Sequence, residues 1–474
     1  MTPNSLSEST TTQLQDDVFF EQLRASEFSR LDKEGYFYFD YTGGNLYPQS
    51  LLDKHFALLQ NHVFGNPHST NPTSLHATRL VNEARQKVLD FFNAEDYFCI
   101  FTANASGALN IVGECYPFSQ DSCYLFTVDN HNSVNGIREF CTSKGGTCEI
   151  VTANYEDLTI HEPSLTDWLK KLSSKKEKLF AYPAQSNVSG VKHSLDYIRI
   201  AQDLGWDVLL DAAAYVPTSQ LDLKKHTPDF VSVSFYKIFG YPTGIGCLLV
   251  RKDKFEKLHK PWFAGGTVSA VSINYPGYFL VNNHERFENG TVNYLGIPAI
   301  TNGLQFIEQI GLDRINRRVQ SITDYLLHTL ENLIHDNGEP LIHILGSKDL
   351  DKKGGTIIFS VSGNNDKRYP VEFIEKGAAE HSLSVRVGCF CNPGIDEINY
   401  CVTPNEMARF FNSRNQGNYQ DIVSFLGKHR GQVRISVGMA TVQKDLDHLI
   451  LFLRSYLNKP VPEEAFEWAL QATH

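Results

Sequence analysis

No run in this 474-residue sequence approaches the ~20 consecutive apolar residues that span a bilayer, so no membrane-spanning helix is expected. The N-terminus, MTPNSLSESTTTQLQDD, has no apolar core and lacks the marks of a signal or transit peptide, so a cytoplasmic protein is expected. Positive charge is in deficit: 43 Lys and Arg stand against 54 Asp and Glu, a net charge of −11, which argues against nucleic acid as the main partner. The nine cysteines show no regular spacing, which suits reduced thiols rather than a disulfide framework. Cys99, Cys123 and Cys247 lie in apolar, strand-like runs where a free thiol packs as a small hydrophobe. Internal repeats and low-complexity segments are absent beyond a polar N-terminal tail of about 20 residues.

What is present is an alternation. From Tyr36 onward, and most clearly between about Leu75 and Ile300, β-rich runs (YFCIFT, CYLFTVD, LFAYP, DVLLDAA, DFVSVSF, IGCLLV) alternate with helical patterns such as LVNEARQKVLDFF. The strands are nearly continuous in apolar residues, the mark of a mainly parallel sheet covered by helices on both faces. The predicted organisation is α/β: residues 1–35 a tail and lead-in, 36–300 a large domain, and 301–474 a connecting helix and a smaller α/β domain. A single long helix is expected from about Gly303 to Asp336. The smaller domain would contain the strands TIIFSVS and SVRV, the helix VEFIEKGAAEH and a last helix around LDHLILFLRSYL.

In such sheets ligands gather beyond the carboxyl ends of the strands. Asp211 ends DVLLDAA, and Lys237 follows DFVSVSFYK after room for a crossover and one strand. A carboxylate beside a pyridine nitrogen favours its protonated form, and a lysine amine can hold an aldehyde as a Schiff base; pyridoxal 5′-phosphate (PLP) chemistry needs this pair. The turn NASGALN after YFCIFT places Ala105, Ser106 and Gly107 at a helix start whose free N–H groups suit a phosphate, although Ser106 alone would read as an ordinary N-cap. His131, after CYLFTVDN, stands at another strand end, where an imidazole can lie on a cofactor ring; alone it reads equally as structural. Gly265, Gly266 and Thr267, and the pair Gly290 and Thr291, allow close backbone approach and serve as phosphate donors or as plain turns.

In VRVGCFCNPG the Asn-Pro-Gly turn puts Cys391 at the entry of an exposed loop. Arg386 and Arg434 are candidates for lowering a thiol pKa or gripping a substrate carboxylate. Cys389 and Cys391 have no matching Cys or His pair at ligand spacing, so no metal site is expected.

These residues resemble the class V aminotransferase group of fold-type I PLP enzymes, within it the cysteine desulfurases, and most of all the N-terminal desulfurase domain of molybdenum cofactor sulfurases. The likeness runs in order from about Tyr38 to the last helix through YFDYTGGNLYPQS, FGNPHS, FTANASGALN, DNHNSVNGIRE, PAQSNVSGVK, LLDAAAYVPT, SFYKIFGYPTGIGCLLV, FAGGTVS, FENGTVNYLGIPAI and VGCFCNPG. It implies Lys237 as the Schiff-base lysine, Asp211 at the pyridine nitrogen, His131 stacked on the ring and Asn187 near the phenolic oxygen. Ala105, Ser106 and Ser234 would lie at the phosphate, Thr291 would reach the partner's phosphate in a homodimer, Arg434 (with Arg386 nearby) would bind the substrate carboxylate, and Cys391 would accept sulfur.

Two positions depart from the family pattern: Ala214 stands where many desulfurases have glutamine, and Tyr236 where they have histidine just before the lysine. The sulfurases continue into a second domain, and this chain stops at His474, so delivery to molybdenum cofactor is expected to need a separate protein.

The activity this implies is desulfuration of L-cysteine. Lys237 removes the α-proton, the Cys391 thiolate takes the sulfur as a persulfide, alanine leaves, and a separate protein is the expected sulfur acceptor. The same fold supports transamination, epimerisation, β-elimination and kynureninase-type hydrolysis, and a non-catalytic scaffold is a further alternative.

Overall fold

Near-continuous apolar strands can be buried on both faces only inside a layered sheet, and the computed structural model of the chain places them there. It describes residues 8–428 and 430–466, with side chains from Asp16 onward. The large sheet has seven strands: β1 (Tyr97–Thr102), β2 (Ser122–Thr127), β3 (Thr147–Val151), β4 (Glu177–Pro183), β5 (Asp207–Asp211), β6 (Phe230–Ser234) and β7 (Gly246–Arg251). Their spatial order is β1-β7-β6-β5-β4-β2-β3. All neighbours are parallel except β7, which runs antiparallel to both β1 and β6. Every residue of β2, β5 and β6 is buried, as a sheet covered on both faces requires.

The register aligns the polar strand ends at one edge. Pro183 lies opposite Asp211, and Asp211 opposite Ser232. Because β7 is reversed, its first residue, Gly246, lies between the last residues of β1 and β6, paired with Thr102 on one side and Ser234 on the other.

A second, antiparallel sheet of four strands, β8 (Ile342–Leu345), β9 (Thr356–Val361), β10 (Arg386–Gly388) and β11 (Gln432–Ser436), has the order β8-β9-β11-β10. The lead-in belongs with this sheet in space: Phe37 and Tyr38 pair in parallel with Leu383 and Ser384, and Asp40 bridges to Ser436.

Two expectations need correction. Helix α1 (Glu8–Glu27) occupies most of the segment read as a flexible tail, and only residues 1–7 lie outside the described part. Its polar sequence hides a few strong anchors. Phe20 is fully buried, the Arg314 guanidinium lies 3.7 Å from the Phe19 ring centroid, and Arg24 donates to Asp445 at 2.6 Å and to Asp32 at 3.0 Å. The connecting helix is also not one helix but two, α2 (Pro298–Ile310) and α3 (Leu312–Glu331), broken at Gly311, whose φ of 90° lies in the left-handed region that a helix interior does not use. Periodicity continues across the break, so the apolar pattern alone does not reveal it.

Candidate active site

The strand-end residues line one cavity of about 330 Å³. Ala105, Ser106, His131, Asn187, Asp211, Ser234, Tyr236 and Lys237 all face it, together with Ala214 and Gln185. Each arrives by a simple local device. The helix Ala105–Cys115 is capped by Asn104, whose Oδ1 accepts from the Gly107 N–H at 3.0 Å. The cap is therefore Asn104 rather than Ser106, and the Ser106 hydroxyl is free to meet Ser133 Oγ at 2.6 Å. The Ala105 N–H donates to Ser234 Oγ at 2.8 Å, so the first helical turn and the end of β6 form one rim. A helix start whose Ser106 N–H lies outside these bonds, with two hydroxyls beside it, suits a dianionic group.

Across the cavity, Asp211 Oδ1 accepts from the Ala213 N–H at 3.1 Å and from Ser232 Oγ at 2.9 Å, which leaves Oδ2 outside these bonds. Lys237 sits in the short helix that starts directly after β6. Burial pushes its amine below the usual lysine range; Asp211 opposes the shift, Arg434 adds to it, and Asp40 and Cys391 oppose it more weakly. His131 caps the next short helix, with Nδ1 accepting from the Ser133 N–H at 3.1 Å. Burial lowers its pKa, Asp211 raises it and Lys237 lowers it, so the ring is held neutral at physiological pH with the proton on Nε2. Burial raises the Tyr236 phenol, which keeps it protonated.

The remaining candidates lie around this cavity. Cys391 is exposed on the loop after β10, while Cys389 is half-buried. Asn187 donates through Nδ2 to the Phe390 carbonyl at 2.8 Å, so its amide grips the cysteine loop, in addition to facing the cavity. Arg386 and Arg434 are direct cross-strand neighbours, a repulsive pairing unless an anion is shared. Asp40 provides it: Arg386 Nε donates to Oδ2 at 3.0 Å, and Arg434 Nη2 to Oδ1 at 2.7 Å. Arg434 Nη1 donates to the Asn187 carbonyl at 2.8 Å, whereas its buried Nε has no partner among the described residues. Thr291 is not in the cavity; it is exposed and accepts from Asn66 Nδ2 at 3.3 Å.

Asp40 and Gln185 were missed in the sequence, although both fall inside quoted motifs, YFDYTGG and PAQSNVSG. Gln185 is buried beside Asp211 and Lys237 and its Oε1 has no partner among the described residues. An orphaned amide end facing a cavity that also holds a carboxylate, an amine and a phosphate-type rim fits PLP: turned to present Nε2, the amide would donate to the ring's phenolic oxygen from the segment after β4, where Ala214 after β5 carries no donor.

The sequence profile of the aminotransferase class-V family matches residues 37–449. The chain belongs to this family. As a class-V family member it is similar to the molybdenum cofactor sulfurases of Oryza sativa subsp. japonica and Arabidopsis thaliana, each 34% identical over 93% of this chain and 58% of the sulfurase. The chain thus spans a little over half the length of these relatives. Among solved structures, the apo cysteine desulfurase of Thermococcus onnurineus NA1 superposes with a TM-score of 0.75 at 26% identity, covering 92% of this chain and 97% of that one. The cysteine desulfurase CsdA of Escherichia coli, at 19% identity and a TM-score of 0.71, shares the fold. The architecture is that of the fold-type I PLP enzymes, and PLP is the cofactor indicated by the family together with solved structures of the same fold, one of which carries glycine linked to PLP.

Proposed function

We propose that this class-V family member is a PLP-dependent cysteine desulfurase, which moves the sulfur of L-cysteine onto Cys391, releases L-alanine and passes the sulfur to an acceptor thiol. The observation that carries the reading is an exposed thiol on a loop whose backbone is gripped by Asn187, a residue that itself lines the cavity of Lys237.

Ala105, Ser106 and Ser234 would hold the phosphate of PLP, Asp211 the pyridine nitrogen, and Gln185 and Asn187 the phenolic side, with His131 and Tyr236 lining the ring and Lys237 securing the cofactor through its amine. When bound, PLP supplies an electron sink for the charge left on the substrate α-carbon. The chain's own residues do the rest. The Arg434 guanidinium, with Nε unpaired, receives the substrate carboxylate and fixes which bond at the α-carbon faces Lys237. Lys237 Nζ takes the α-proton, a task helped by its depressed basicity, which leaves more of it in the free-base form near neutrality. Cys391 Sγ attacks the substrate sulfur: a new S–S bond forms, the Cβ–S bond breaks, Cβ keeps the electron pair and takes a proton to become a methyl group, and return of a proton from Lys237 Nζ to the α-carbon completes alanine. The neutral His131 carries a proton on Nε2 toward the cavity.

Incubation of the PLP-loaded protein with L-cysteine is expected to add one sulfur atom to the Cys391 peptide and to release alanine in step with sulfide recovered after reduction, read by peptide mass spectrometry and amino-acid analysis. Pyruvate in place of alanine, with Cys391 unmodified, would overturn the reading in favour of a lyase.

A homodimer is part of the proposal. Thr291 lies on the surface rather than in its own cavity, and the nearby hairpin formed by Val268–Ser272 and Gly277–Leu280 exposes Ile273 at 91% and Phe279 at 74%, a large apolar cost for a monomer in water. Sedimentation is expected to give a species of twice the 53.5 kDa chain mass, and a fully active monomer would count against it.

A further inference from the structure

The loop that carries Cys391 is strained and pinned at the same time. Phe390 and Cys391 both have φ of 55°, two consecutive non-glycine residues in left-handed backbone, which persist only where the surroundings over-determine them. Much of the pinning comes from one segment of the large domain, residues 128–132. The Asn132 N–H donates to the Cys391 carbonyl at 2.7 Å. Gly394 approaches the Val128 carbonyl so closely that a Cβ would collide with it. Between these two contacts lies Asp129, whose side chain is 1% exposed. Its Oδ2 meets His193 Nε2 at 3.2 Å, and its Oδ1 accepts from Ser186 Oγ at 2.8 Å and from the fully buried Asn392 Nδ2 at 2.7 Å.

We propose that Asp129 is a positioning residue that docks the cysteine loop through Asn392, and that this buried link, acting with the Asn132 and Asn187 bonds to the loop backbone, decides whether the thiol is held toward the Lys237 cavity or swings out to an acceptor. The inference rests on the reading of Cys391 as the sulfur-accepting thiol. The geometry suits a reversible contact. A buried carboxylate stripped of its partners would resist release, but here Ser186 and His193 stay with Asp129 when Asn392 leaves, so no buried charge is orphaned. What is lost at Asn392 is one charge-assisted hydrogen bond to Asp129 and a longer one, 3.2 Å, to Asn187 Oδ1; the loop carbonyls that leave Asn132 and Asn187 are exposed to water on release, and the left-handed strain at Phe390 and Cys391 relaxes in return. The segment that holds the loop also carries His131 into the cavity, so thiol and imidazole are set by one rigid piece of chain.

The test is Asn392→Asp, which sets a second carboxylate against Asp129 Oδ1, with Asn392→Ala as the version that deletes the amide without adding charge. In the holoenzyme, hydrogen-exchange mass spectrometry of peptides covering 129–135 and 386–396 is expected to show exchange at least about tenfold faster in Asn392→Asp, with a smaller gain in Asn392→Ala. Rapid-quench measurement is expected to show persulfide formation slowed about 10- to 100-fold, while discharge of the persulfide to dithiothreitol is undiminished, a split that general destabilisation would not produce. Adding Asp129→Asn to Asn392→Asp restores a donor–acceptor pair with reversed polarity and is expected to recover both exchange protection and persulfide formation. Unchanged exchange in Asn392→Asp, or no recovery in the double variant, would overturn the proposal. Faster exchange with undiminished persulfide formation would overturn the link's control of the thiol, whereas the absence of any persulfide on Cys391 in the unaltered holoenzyme would overturn the reading of Cys391 itself.

Discussion

Replacing Lys237 by alanine is expected to lower turnover of L-cysteine by more than about 10³-fold while leaving PLP bound. The rim of Ala105 and Ser234, the Ser106 hydroxyl and the Asp211 carboxylate come from other elements and keep their own hydrogen bonds, so the ring and phosphate contacts survive. Lost is the only amine facing the cavity among its lining residues, and with it the base for the α-proton. Borohydride reduction of the wild-type protein is expected to fix the cofactor's mass on the peptide containing Lys237, and reduction of the variant to fix none. A label on another lysine, or near-normal turnover by Lys237→Ala, would remove Lys237 from the mechanism.

Cys391→Ala is expected to be as inactive in alanine release as Lys237→Ala, but by a different route. L-Cysteine should still bind and still perturb the cofactor's absorbance, because Lys237, Asp211 and Arg434 are untouched. The sulfur then has no nucleophile, so neither persulfide nor alanine forms, a loss of about 10³-fold or more for a step that depends on a covalent acceptor. Cys389 is the necessary comparison. Burial, with Asp396 next, pushes its thiol above the usual cysteine value, so its thiolate is scarce at neutral pH, and Cys389→Ala is expected to keep most turnover. The reverse pattern, a dead Cys389→Ala and an active Cys391→Ala, would move the nucleophile by two residues. Normal alanine release from the double variant would mean that no thiol of this loop takes the sulfur.

The parallel sheet was readable because apolar runs such as SCYLFT are at home inside a covered sheet, and Asp211 at a strand end and Lys237 just beyond one could be found because they interrupt those runs. What escaped reading were polar groups whose partners are distant in sequence. Asp40 becomes meaningful only once Arg386 and Arg434 are seen to face each other across two strands, and Gln185 only once its amide is found with one end unpaired. Asp129 sits two residues before His131 in a motif that drew notice for the histidine alone, and nothing local announces that Asn392 will reach it. The N-cap at Asn104 was not singled out beside Ser106, because both residue types cap well, and only the 3.0 Å bond to the Gly107 N–H separates them. In the first helix, spacing was obscured by polar residues around Phe20 and Arg24, whose burial depends on segments hundreds of positions away.

That last separation bears on how the molecule is made. Arg24 and Asp445 are 421 positions apart, and the Ser436 side chain that reaches the Phe39 carbonyl is 397 positions from it. A ribosome adding roughly 5–20 residues per second therefore exposes the first helix and the strand after it for tens of seconds before these distant partners are made. During that interval Phe19 and Phe20 have no surface of their own to cover them, while the seven-stranded sheet, whose strands lie between residues 97 and 251, can already assemble. The part of the chain synthesised first is the part that must be fitted last.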